Sequence, residues 1–411
     1  MNTARPALHI ASLSLTVLAV AAAVAGVACS DQSAVLAQGE TDTAAPGAPT
    51  DDASAPPHAD PLSDSSTPDG GPTDTAPRLV VATATPAGGE LRIWRDPAAL
   101  SNARPADVAI PLDGTVGPMT LVGSSLFVSL TNDGTASLAN YGAAMALTSG
   151  SVPAASIGTG SGTATALWHA KSDDALFIQQ FGGAFPIRFF TGATTLTPAS
   201  TPSVALFKGD PAALGSAAYE PVKHRLYETT MGRGIVVWND VLNASATRDP
   251  DYSVTTLRYE SITIADDTLY AVRMVAKDLE IAIWPSVSAL GGTATLPTTR
   301  VHVALSDEGF AANVRVMENV LMVSVRHVDA GEVLFFAAPK SLTASSVPTS
   351  ALDTDWTLGT ADRPAAPYLA ANGRLYLGLS TKLRILDQVP NTPTLRAELD
   401  GLARDIVLVK P

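Results

Sequence analysis

A single cysteine, Cys29, serves all 411 residues, so neither a disulfide framework nor a thiolate metal site can form within one copy. Cations are scarce as well. Lys and Arg number 26 against 39 Asp and Glu, a net charge of −13. That balance excludes a nucleic-acid surface, because phosphate contacts need clustered Lys and Arg. Charged residues make up only 16 % of the chain, a low share that suits a Thr-, Ser- and Ala-rich β protein. Of six histidines, four lie beyond residue 100 (His169, His224, His302 and His327), each in a different local setting. No His-Glu-x-x-His, Gly-x-Ser-x-Gly or Walker-type loop occurs, so no catalytic residue, metal site or cofactor is assigned.

Long hydrophobic runs are absent except for one, Ile10–Ala28, which follows a weakly positive start at Arg5. Its length and its end, Gly26-Val27-Ala28-Cys29-Ser30, fit an export signal over residues 1–28. Small residues ahead of a cysteine resemble a bacterial lipobox, with Gly26 where such boxes prefer Leu. The resemblance implies lipid attachment at Cys29, with simple cleavage after Ala28 and an uncleaved anchor helix as the alternatives. All three export the chain to the cell envelope or beyond, and contact with a membrane is expected through a lipid anchor. Residues 29–77 contain nine acids (Asp31 to Asp74), no Lys or Arg and almost no large apolar side chain. Such a segment cannot bury enough surface to offset chain entropy and is expected to be a disordered tether.

Beyond residue 77 a period governs the sequence. Short strand-like segments start at Leu91, Leu138, Ile187, Ile235, Ile281, Val333 and Leu383, stepping by 47, 49, 48, 46, 52 and 50 residues. A second strand precedes each, beginning at Leu79, Leu126, Leu176, Leu226, Leu269, Leu321 and Leu375. Asp, Asn and Gly turns such as Asp266-Asp267 join most of these to a further apolar strand, which is a hairpin signal. The unit is a four-stranded antiparallel meander, lettered a to d from centre to rim, and seven units predict a seven-bladed β-propeller over 78–411. Its first unit lacks strand a, while Asp405–Val409 at the chain's end is an unpaired strand. Pairing the two closes the ring and hides two edges.

The unit resembles bacterial propeller repeats of the YVTN/NHL-like, lactonase-like kind across 78–411. The matching residues are strand formers, so the resemblance implies fold and carries no active site with it. Trp94, Trp238 and Trp284 end strands at equal phase and read as blade-packing residues. Gly158–Gly162 reads as a loop between blades.

A propeller binds where its b–c and d–a connections crowd one face. There the sequence places a candidate ligand face of Arg233, Lys277, Asp278, Arg326, His327, Asp329, Asp362 and Arg363, with His327 beside Arg326 at its centre. Glu260, Asp307 and Glu308 fall on the same face. The expectation is a monomeric binding module for a protein or glycan partner. The alternatives are a lactonase-like hydrolase with its site at the channel mouth, and a scaffold in an envelope complex.

Overall fold

The computed structural model describes residues 76–85, 88–181, 187–202, 204–206, 216–230, 233–244, 248–292, 295–357 and 366–411. The signal segment 1–28 with Cys29, all but the end of the tether 29–77, and Asp362 and Arg363 lie outside these. Seven four-stranded antiparallel sheets form a seven-bladed β-propeller. Blade 1 contains β1 (Arg78–Thr85), β2 (Gly88–Trp94) and β3 (Val108–Leu112). Blade 2 is β4 (Thr115–Val122), β5 (Ser125–Asn132), β6 (Thr135–Ala143) and β7 (Ala155–Ser161); blade 3 is β8 (Thr163–Ala170), β9 (Ala175–Phe181), β10 (Ile187–Thr191) and β11 (Val204–Leu206). Blade 4 is β12 (Ala217–Glu220), β13 (Arg225–Thr230), β14 (Gly234–Trp238) and β15 (Tyr252–Thr255); blade 5 is β16 (Ser261–Ala265), β17 (Thr268–Val275), β18 (Asp278–Pro285) and β19 (Thr299–Ala304). Blade 6 is β20 (Gly309–Met317), β21 (Val320–His327), β22 (Gly331–Ala337) and β23 (Ser350–Thr354). Blade 7 is β24 (Tyr368–Leu369), β25 (Leu375–Gly378), β26 (Lys382–Asp387) and β27 (Thr394–Asp400). The last strand, β28 (Leu402–Val409), supplies strand a of blade 1, pairing Arg78 with Val409 and Val80 with Val407.

The inner strands are buried on both faces of each sheet while the rim strands leave residues exposed, so the core lies between blades. Seven apolar clusters fill the seven seams, from Val80, Leu126 and Val407 between blades 1 and 2 to Leu79, Tyr376 and Ile406 between blades 7 and 1. Period-2 alternation sends successive residues of one strand into opposite seams. The three tryptophans are packing residues, exposed by 3 % or less. Each indole N–H donates to a carbonyl in its own c–d connection: Trp94 to Arg104, Trp238 to Arg248 and Trp284 to Thr295, at 3.0–3.2 Å. The glycine run at 158–162 is mostly strand. Residues up to Ser161 belong to β7, because a bulge opposite Ala136 and Ser137 accommodates them.

The two faces of the ring are built differently. On the lower face, c–d connections run eleven to thirteen residues in blades 1–6, and each starts with a short 3-10 turn. In blades 2–6 an early amide of this connection bonds back to the a–b turn of the same blade, as Ala193 does to Asp174 O and Val241 to His224 O. On the upper face, d–a connections range from one residue (Gly162, Gly401) through four (305–308) and five (256–260) to thirteen (355–367). The longer ones all follow blades 3 to 6. Both ends of the propeller, Arg78 and Val409, lie on the lower face.

Candidate functional site

An open cleft of about 440 Å³ lies on the upper face, where blade 5 meets blade 6. Lys277 from the b–c turn of blade 5, Ser306–Glu308 from the following d–a connection, His327–Glu332 from blade 6 and Asp353 on β23 line it. Alternation explains which side chains turn inward. Leu321, Val323 and Val325 of β21 pack toward blade 5, so His327 follows them; Val320 and Met322 pack toward blade 7, and Arg326 goes with those. Glu332 and Asp353 are directly opposed on β22 and β23 and share the blade 5 side.

His327 is the best-held group in the cleft, 7 % exposed. Its Nδ1 is 3.2 Å from Glu308 O, and its Nε2 is 3.0 Å from Glu332 Oε1. A backbone carbonyl only accepts, so Nδ1 donates to Glu308 O and Nε2 is turned toward the Glu332 carboxyl. Two glycines allow close packing here, Gly309 against the ring itself and Gly331 against neighbouring backbone. A Cβ on Gly309 would stand 2.8 Å from His327 Nδ1 and 2.6 Å from Arg326 O, and one on Gly331 would stand 2.7 Å from Trp356 O. Lys277 Nζ donates to Ser306 O at 2.7 Å and sits 3.8 Å from Asp307 Oδ1, an exposed pair worth little energy. Five carboxylates therefore face one lysine and one histidine. Opposed like charges such as Glu332 and Asp353 destabilise a sheet by some tenths of a kcal/mol.

Of the eight residues placed on this face by sequence, Lys277, His327 and Asp329 come together in the cleft. Asp278 does not join them. It points to the blade 4 side of blade 5 and pairs with His302, 2.6 Å away. Arg326, adjacent to His327 in sequence, is buried in the seam with blade 7. Arg233 is exposed on blade 4. Glu332 and Asp353 were missed because strand residues were read as packing. A signal existed: the position before each strand c anchor holds Glu90, Glu280, Glu332 or Lys382 in four blades. Glu90 and Glu280 are neutralised by Arg92 and Arg273, whereas Glu332 faces a histidine.

A second carboxyl lies nearer the channel. Glu260, in the 256–260 connection, has Oε2 accepting from Ala311 N at 2.7 Å and Met274 N at 3.2 Å. Burial pushes its carboxyl up to about 7, against the pull of those two amides and of Arg258 and Arg273. Among the described residues no group of three or more His, Cys, Asp or Glu is arranged to hold a metal ion.

No protein-family profile and no curated sequence matches the chain. Solved structures do. The periplasmic gluconolactonase of Pseudomonas aeruginosa superposes with a TM-score of 0.59 at 13 % identity, over 81 % of this chain and 99 % of that one. A candidate 6-phosphogluconolactonase from Bacteroides uniformis gives 0.54 at 13 %, over 82 % and 100 %. The WD40 domain of coronin from Toxoplasma gondii gives 0.48 at 14 %, over 82 % and 80 %. At these identities the likeness is one of fold alone, the seven-bladed propeller that the two lactonase structures share with this chain.

Proposed function

We propose that this chain is an exported, lipid-anchored binding propeller, with its ligand face on the upper side around the cleft between blades 5 and 6. One observation carries the reading. Six of the seven repeats keep their lower c–d connections to one plan, while the longer upper connections gather after blades 3 to 6, where the cleft lies. Packing alone gives no reason for that concentration, and connections free of packing duties are where recognition residues accumulate. Charge and shape suit a hydroxyl-rich glycan or a basic segment of an envelope protein. Both termini of the propeller leave from the lower face, so an anchor at Cys29 holds the upper face away from the membrane. Binding of the full chain, in detergent, to glycan and basic-peptide arrays tests this, with Glu332→Gln/Asp353→Asn as the comparison. Retention that the double variant loses supports the reading. Retention indifferent to it, or none at all, refutes it. Palmitate-analogue labelling of cells tests the anchor, and label retained by Cys29→Ala refutes it.

A hydrolase is the second reading, favoured by the 3.0 Å contact between His327 Nε2 and Glu332 Oε1 beside an open cleft and by a fold like that of lactonases. Turnover of a simple lactone above the spontaneous rate, abolished in His327→Ala, would put it first.

A further inference from the structure

The seam below the cleft contains a carboxyl that no packing argument requires. Glu260 belongs to neither blade's sheet, yet its Oε2 accepts a backbone N–H from β17 of blade 5 and another from β20 of blade 6. The second amide, Ala311, stands at a break in register, where Ala311 opposes Val325 and Asn313 opposes Ser324. Strand β20 bulges there, its inner edge is unpaired at the channel, and side chains of the preceding blade satisfy it. Ser261 Oγ does the same for Val314 N, at 3.2 Å. Three residues before Ala311 is Glu308, whose carbonyl holds His327, and two before it is Gly309, packed on that ring.

We propose that Glu260 is a proton-operated clasp between blades 5 and 6, whose protonation state sets how tightly the start of β20, and with it the inner wall of the cleft, is held. The groups around it allow this. Arg258 on its own connection and Arg273 on β17 are the cations that act on it, and Arg273 is already engaged by Glu280 Oε2 at 2.6 Å. Strand β16 and the stretch Gly309–Val314 of β20 contribute no titratable side chain. A carboxylate left part-buried with its cations half-spent ionises near neutrality, as the value of about 7 reflects. The sign follows. Its folded value lies above the ordinary 4.5, so its contribution to stability is full below pH 4.5 and is lost as pH rises to 7.

The proposal goes beyond ligand binding and needs no ligand to test. Thermal midpoints of the full chain and of Glu260→Gln are measured from pH 4.5 to 8.5, with amide exchange of residues 305–313 followed at pH 6 and 8 after correction for the intrinsic rate. The wild type should lose about 3–5 °C relative to Glu260→Gln across that range. Exchange at 305–313 should change several-fold with pH in the wild type alone. Parallel midpoint curves, or pH-independent exchange in both proteins, overturn the clasp. If Glu260→Gln fails to fold, carbon-13 spectra of glutamate-labelled wild type decide. One carboxyl titrating between pH 6 and 8 supports the proposal, and none titrating above pH 6 refutes it.

Discussion

Replacing Asp405 by alanine tests ring closure more sharply than deleting a strand would. Asp405 is 3 % exposed on β28, the strand that closes blade 1. Its Oδ2 accepts Met119 N at 2.6 Å, and its Oδ1 accepts the Ile406 amide at 2.8 Å. The last strand of the chain therefore ties into blade 2 as well as blade 1. Removing the carboxylate leaves a buried Met119 N–H without an acceptor, at a cost of about 1–3 kcal/mol, and hydrogen bonds to charged groups lie toward the top of that range. Unfolding a domain of some 330 residues has an entropy near 0.7 kcal/mol per degree at the midpoint. A loss of about 2–3 kcal/mol should then lower the melting temperature by about 3–4 °C. Asp405→Asn keeps a carbonyl for Met119 and should lose less than half as much. Circular dichroism at 218 nm, with urea midpoints in parallel, measures both variants. If Asp405→Ala melts with the wild type, or Asp405→Asn falls as far as alanine, the tie between closing strand and second blade does not exist.

Other perturbations test other layers. Trp238→Phe keeps the aromatic packing but loses the bond to Arg248 O, and should cost about 1–2 kcal/mol by urea titration. Gly331→Ala forces a Cβ within 2.8 Å of Trp356 O and Val325 O, so it should lower the melting temperature and disorder His327, seen as a shifted imidazole resonance. Glu332→Gln relieves the opposition with Asp353 and should leave stability unchanged or raised by a few tenths of a kcal/mol. For Glu280, burial alone would raise the carboxyl, but hydrogen bonds from Arg273 and Tyr259, with the nearby Arg300, hold it below its ordinary value. Its stabilisation is present above pH 4.5 and lost as pH falls, so the gap between wild type and Glu280→Gln should close between pH 5 and 3.

The blade count, strand order and closing strand were all legible in the sequence, because packing between blades repeats its chemistry every 48 residues or so. Leu79, Leu126, Leu226 and Leu321 occupy equivalent seam positions and are equally buried. The same regularity extends to polar contacts that no strand signal reveals. Arg225 and Arg374 open strand b in the same Arg-Leu-Tyr sequence, and each reaches into the 3-10 turn of the next blade, to Leu290 O at 2.7 Å and to Pro97 O at 3.0 Å. The upper face was legible only as a set of connections. Adjacency in sequence brought Arg326 and His327 together, whereas the pleat sends them into different seams. Conversely Glu332 and Asp353 are 21 positions apart and touch one cleft because β22 and β23 pair there.

That contrast bears on where function can reside in a repeat protein. A residue at a phase shared by seven blades answers to packing, and its chemistry is constrained by two neighbours at once. Glu90, Glu280 and Glu332 occupy one such phase, and in two of the three cases an arginine cancels the charge. At the third the partner is a histidine, the opposing strand offers Asp353 in place of a cation, Gly309 packs on the ring, and Gly331 is pressed against the carbonyls of Trp356 and Val325. Each departure works against stability by itself, since unneutralised carboxylates repel and tight glycine contacts tolerate no side chain. Four departures in one seam, beneath the upper connections and above the Glu260 clasp, lack any common cause in packing. The ligand face proposed at the blade 5–blade 6 cleft would account for them together.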